Sequence, residues 1–301
     1  MSNFYNVLIK NDGSVIHNVF ATCHKDLLAK YITPKDVHDK TYFKATYSPQ
    51  KGYRLDDITS YKLFIDEVYV PEWFQGELEI KVMRNLQEII RSMIVTNHRQ
   101  LLLHEGAILS GNAMISEIKH SVIFAMYDQA IIDVLDNNSE VRYMTDECFI
   151  VDMRDNTRVN EMLGFSKVKQ MHNYSKIMKM YGQTKVGEMF DHSRISILKG
   201  DANIVEMHGE AQADRLKHMS KVDEMHGHSV IEEMWEWTVV EKMFDQSHIY
   251  FMDEDSRVLE MHDFSSVDEM YGNAVIERLF ENSLVRKLNE RAKILKEELK
   301  K

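Results

Sequence analysis

The sequence predicts a mainly β protein: a parallel β-solenoid of nine-residue units, preceded by a small α/β cap domain and closed by a C-terminal helix. Three observations carry that prediction. A β-branched residue recurs at every ninth position from Ile123 to Val285, with Ala213 as the exception. Three residues after each stands Met or Leu, in 19 of 19 units, and 14 of the chain's 20 methionines occupy this column. Seven residues after each comes a small residue, as in Ala130, Ser139, Cys148, Thr157 and Ser166. The consensus is Val/Ile-x-x-Met/Leu-x-Gly/Asp/Asn-x-small-x, seen cleanly in VDEMHGHSV at 222–230.

A period of nine matches neither 3.6 nor 3.5, so no continuous helix keeps these columns on one face. The small residue and the next β-branched residue lie two apart, which puts both on one side of a strand. Gly, Asp or Asn fills the position five after the β-branched residue in 14 of 18 units, and these residues tolerate the positive φ of tight corners. Each unit therefore reads as a short strand, an inward Met or Leu, and a corner. Stacked coil on coil, such units bury three columns as ladders. Helical repeat arrays need units of roughly 33–47 residues and do not fit.

Coils of 18 or 27 residues are both compatible with the period. The residue following Met or Leu discriminates. At 18-residue spacing it reads His172, Phe190, His208, His226, Phe244, His262, Phe280, while the interleaved set is mixed. Sorting at 27 scatters the rings among Lys199 and Asp253, so 18 residues per coil is favoured.

The elements follow in chain order. Residues 1–105 lack the repeat. Residues 4–20 carry a hairpin signal, two β-rich runs around Asn11-Asp12-Gly13. Tyr61 to Val70 is strand-like, and Glu79 to Val95 sets Val82, Leu86, Ile89, Ile90, Met93 and Ile94 on one helical face. This domain is expected to cover the first coil. A weaker unit, one residue short, runs back through Met114 to about Gly106, so the solenoid is placed at 106–288. In residues 289–301, continuing from Leu288, Ala292, Leu295 and Leu299 have helical spacing, which predicts an amphipathic helix capping the last coil.

The repeat resembles that of the pentapeptide-repeat and related β-solenoid families, which also place a small and an aliphatic residue inward between corners. It departs in its period of nine and in using Met where those families prefer Leu or Phe. Some members of that family block DNA-binding enzymes by acidic mimicry of nucleic acid, which makes a similar regulator one expectation here. The repeats also look like those of uncharacterised phage and mobile-element proteins, so a structural component of a phage particle is another. The glycine-rich calcium-binding nonapeptide repeat is a poor match, because β-branched residues and Met stand where it needs glycine.

Charge is distributed in blocks. The chain's formal net charge is −11. Residues 158–199 carry eight basic and three acidic groups, whereas 201–280 carry 19 acidic and six basic. At 18 per coil, Glu188, Glu206, Glu224 and Glu260 fall in one column, interrupted by Lys242. That acidity disfavours direct nucleic-acid binding. The leading expectation is a non-enzymatic scaffold that binds a protein partner, with homo-oligomerisation as a further option. Its candidate contacts are His172, Phe190, His208, His226, Phe244, His262 and Phe280, with Glu188, Glu206, Glu224 and Glu260 beside them. No catalytic, cofactor-binding or metal-binding residues are assigned. The histidines share one repeat position, Cys148 sits in the small-residue column, and Cys23 has no evident activating partner. Two cysteines, no signal-peptide pattern and no apolar stretch of membrane-spanning length predict a protein of the cytoplasm, or of a virion.

Overall fold

The computed structural model describes residues 5–21, 23–66, 70–280, 282–289 and 291–298. The chain divides into two units, one of 1–95 with 105–108 and one of 96–104 with 109–301. No helix among the described residues is long and apolar enough to cross a membrane.

In the first unit an antiparallel sheet has the order β2-β1-β3-β4. The expected hairpin is β1 (Asn6–Lys10) against β2 (Val15–His17), in a register that sets Val7 opposite His17 and Ile9 opposite Val15. Its turn puts Gly13 at φ 82°, and Asp12 Oδ1 accepts from the Ser14 backbone N–H at 2.8 Å. β3 (Tyr42–Pro49) and β4 (Tyr61–Ile65) complete the sheet. Of the expected Tyr61–Val70 strand, residues 67–69 lie outside the described residues. Two short helices, α1 (His24–Tyr31) and α2 (Pro34–Asp39), are additions to the sequence reading. The second is signalled by Thr33-Pro34-Lys35-Asp36, a capping box with Pro at the first helical turn. The long helix α3 (Glu77–Met93) buries Val82, Leu86, Ile90 and Met93, and ends before Ile94 and Val95, which are extended.

The second unit is the solenoid, of about 11 coils. Twelve parallel strands, from His98–Leu103 to Lys293–Glu298, form its first sheet. Of the second sheet, the alternate strands from Val122–Met126 to Leu284–Leu288 belong to this unit. From the third strand of the first sheet onward each residue pairs with the one eighteen further on, as Val222 with Val240 and Met225 with Met243. Eighteen residues therefore close a coil. The β-branched and Met columns are buried throughout the complete units, 0–1% exposed from Ile123 to Met270. Each such side chain contributes on the order of 1.5–3 kcal/mol by leaving water, and the stacked columns are the core.

Corners repeat as regularly. Asp128, Asp146, Asp191, Gly209, Gly227, Asp245 and Asp263 all hold positive φ. Gly227 is doubly required, since a Cβ there would also lie 3.0 Å from the Gly209 backbone nitrogen on the coil before. Aspartate has its own use at this position. The Asp245 carboxylate accepts from the Gly227 N–H at 2.8 Å, and the Asp146 carboxylate from the Asp128 N–H at 3.0 Å, so corner side chains clip one coil to the next.

The structure corrects the sequence reading in three places. The C-terminal helix predicted for residues 289–301 is absent from the described part of that segment. Lys293–Glu298 is a strand, with Ile294 paired to Ile276, while Leu299 lies outside the described residues. The nine-residue phase runs on through Ala292 and Ile294, and the preceding coil offers backbone partners that an isolated helix lacks. Second, the short unit near residue 114 is carried by Ile115, fully buried and paired with Ile132, while Met114 is exposed. Third, the solenoid begins before residue 106, because His98–Leu103 already pairs with Met114–Lys119.

Candidate interaction surface

From Phe149–Met153 to Arg257–Met261 each strand of the first sheet ends in an inward Met, and the next residue starts the turn. Its backbone N–H bonds the Met carbonyl one coil back: His226 to Met207 at 2.8 Å, Phe244 to Met225 at 2.8 Å, His262 to Met243 at 2.9 Å. That bond fixes the direction in which every side chain of the column leaves the coil. The seven rings consequently stack without a break. Centroids are separated by 4.9 Å for His172–Phe190, 5.1 Å for Phe190–His208 and 5.0 Å for His208–His226. The series continues at 4.9 Å for His226–Phe244, 5.0 Å for Phe244–His262 and 4.3 Å for His262–Phe280. All six pairs lie within 13° of parallel. The spacing is that of adjacent strands, so strand pairing, not ring attraction, sets it. Each imidazole keeps an edge in solvent, as the 28% exposed His226 side chain does.

The expected glutamate column lies immediately beside the ridge, in the register Gln170, Glu188, Glu206, Glu224, Lys242, Glu260, Arg278. His208 Nε2 is 2.8 Å from Glu206, His226 Nε2 3.2 Å from Glu224 and His262 Nε2 3.0 Å from Glu260. Lys242 Nζ donates to Glu224 at 3.1 Å, Arg278 pairs with Glu260, and Gln170 Nε2 donates to Glu188 at 2.7 Å. The ammonium of Lys242 holds the Glu224 carboxyl below its ordinary range, with His226 adding to the effect. Burial between two phenylalanines lowers His262, opposed by Asp263 and assisted by Lys242. The structure thus merges ridge and acidic flank, distinct features in the sequence, into one composite strip. At its start, His172 Nε2 stands 3.7 Å from Asp152, a largely buried carboxylate that also pairs with Arg154 at 2.6 Å.

In chemical terms the strip presents apolar ring edges interspersed with imidazoles, beside a charged row that is partly compensated. Among the described residues no three His, Cys, Asp or Glu gather as a metal-ligand group. Burial pushes the Cys148 thiol up to about 12, and Cys23 is an exposed cap at the start of α1. A second aromatic group on the other sheet went unread in the sequence. Trp235 and Phe251 lie 5.2 Å apart and Phe251 and Tyr271 5.3 Å, with Lys217 over the Trp235 ring. These residues come from two different repeat columns, so no single spacing connects them.

The fold defines the class: a parallel β-solenoid repeat protein with a small β/α unit. Comparison with protein families, with curated proteins and with solved structures finds no match. The likeness to pentapeptide repeats therefore rests on the repeat pattern alone.

Proposed function

We propose that this protein is a non-enzymatic interaction scaffold, holding a protein partner along the ring ridge and its charged flank. The observation that carries the proposal is the unbroken stack from His172 to Phe280, whose geometry is built into the backbone ladder. A surface so held loses little side-chain entropy on binding, and aromatic edges are favoured contact groups. The glutamate column supports this reading over imitation of a nucleic-acid backbone. A phosphate mimic needs a row of uncompensated carboxylates, whereas Lys242 and Arg278 interrupt this one and pair with Glu224 and Glu260.

The test is replacement of Phe190, Phe244 and Phe280 by Ala together, followed by affinity capture from the native host. A partner retained by the parent and lost by the triple variant, with an unchanged far-ultraviolet spectrum, is the expected result. Equal capture by both proteins removes the ridge from the proposal.

A further inference from the structure

The corner column that elsewhere takes Gly, Asp or Asn breaks its rule at His218, Glu236, Glu254 and Glu281. The first three are eighteen residues apart and stack on consecutive coils, at the turn leaving the second sheet. They hold φ of 64°, 60° and 56°, a left-handed backbone that His and Glu adopt less readily than the consensus residues. The next column at this corner carries Met219, Trp237 and Asp255. Met219 is 61% and Trp237 64% exposed, two large side chains left open to solvent. His218, Met219, Glu236, Trp237 and Glu254, together with Asp253, Asp255, Gly272 and Asn273, line a concave cavity of about 740 Å³.

The charge of the cavity is directional. His218 Nδ1 meets the Glu236 carboxylate across one coil step. Asp253 Oδ1 accepts from the Glu254 N–H at 2.6 Å and Asp255 Oδ1 from Asn273 Nδ2 at 3.3 Å. Among the described residues, no cation pairs with Asp253, Glu254 or Asp255. A wall of indole and thioether thus faces three successive carboxylates without a counter-charge.

We infer that this cavity is a docking site for an arginine-bearing basic segment of a partner protein. The guanidinium plane stacks on an indole face and bonds carboxylates in a fork, so one side chain uses both walls at once. Lysine reaches the carboxylates only as a point charge, and Met219 adapts to the aliphatic stem of either. The repeat gives up its favoured corner residues on three coils running, and it does so where the cavity stands. The cavity opens at the turn leaving the second sheet and the ridge at the turn leaving the first, so this inference does not rest on the ridge.

The experiment is calorimetric titration of the full chain with an eight-residue peptide alternating Arg and Gly, and with its Lys and Glu counterparts. The Arg peptide binds at one site, the Lys peptide more weakly and the Glu peptide not at all. Trp237→Ala weakens Arg-peptide binding about tenfold. Asp253→Asn, Glu254→Gln and Asp255→Asn together weaken it at least as much, and added salt weakens it further. Restoring the consensus with Glu236→Gly and Glu254→Gly raises the melting temperature while lowering affinity, a combination that a merely structural role does not produce. The ridge variant with three Phe→Ala changes keeps parent affinity, which separates the two sites. Absence of binding overturns the inference. So does unaltered affinity in Trp237→Ala, which reduces the attraction to diffuse charge. A parent dimer in sedimentation that Trp237→Ala converts to monomer also overturns it, by making a second copy the occupant.

Discussion

At the scale of single residues, the columns differ in what they demand. Met225 is fully buried between Met207 and Met243, and its replacement by Ala leaves a void that rigid strand pairing cannot close. Met225→Ala is expected to cost about 2–5 kcal/mol in urea unfolding, whereas Met225→Leu costs less than about 1.5 kcal/mol. The Leu already present at five places in the column makes the second figure the natural one. His262 makes a pH-dependent contribution. Its folded-state value lies below the ordinary 6.5 because burial disfavours the charged ring. Between those two values the unfolded chain binds more protons, so stability is full above about pH 6.5 and falls as pH drops through that window. His262→Phe keeps a ring in the stack and is expected to flatten the decline between pH 7 and 5, read by denaturant midpoints at each pH. The ridge positions were legible because one column held only rings at eighteen-residue spacing. Their pairing with Glu206, Glu224 and Glu260 was not legible, because it depends on both residues projecting from the same side of a bent strand.

At the scale of elements, the C-terminal segment shows two local patterns competing. Leu288, Ala292, Leu295 and Leu299 have helical spacing, and Lys and Glu are good helix formers. Ala292 and Ile294 also continue the nonapeptide columns, and the strand Val275–Phe280 supplies a row of partners. Tertiary pairing outweighs propensity here, since an isolated helix of this length is marginal in water. Ile294→Asp is expected to abolish amide exchange protection over Lys293–Glu298 while leaving Val275–Phe280 protected. Survival of protection in both segments would show that Ile294 does not anchor the strand. Lys293 and Lys296 also place charge on this last strand, a common device against edge-to-edge pairing. In the first unit α2 illustrates the converse, a short helix whose Thr33-Pro34-Lys35-Asp36 start is local and was present to be read.

At the scale of the whole solenoid, contacts run almost entirely between neighbouring coils, so stability is close to a sum of repeated nearest-neighbour terms. A deletion test follows from the two-fold alternation of units. Removing 209–226, one full coil, keeps every downstream residue on its own sheet and brings His208 next to Phe244. Removing 222–230 keeps the β-branched and Met columns in phase but transfers every later unit to the opposite sheet. Both variants are expected to fold. Only the full-coil deletion preserves a continuous ring stack, so only it retains ridge-dependent capture. If capture survives the nine-residue deletion, the ridge is not the contact.

The repeat period, inward columns, left-handed corners and coil length were all determined by the amino-acid sequence. Each is a strictly local pattern copied many times, and repetition averages away the ambiguity of any single unit. What tertiary structure alone decided are the matters where the copies differ. The fate of residues 293–298 and the start of the solenoid at His98 depend on what the adjacent coil offers. The cavity at Trp237 depends on residues of four successive coils meeting at one corner. Such meetings are set by vertical stacking, a relation between positions far apart along the chain that no window of neighbouring residues contains.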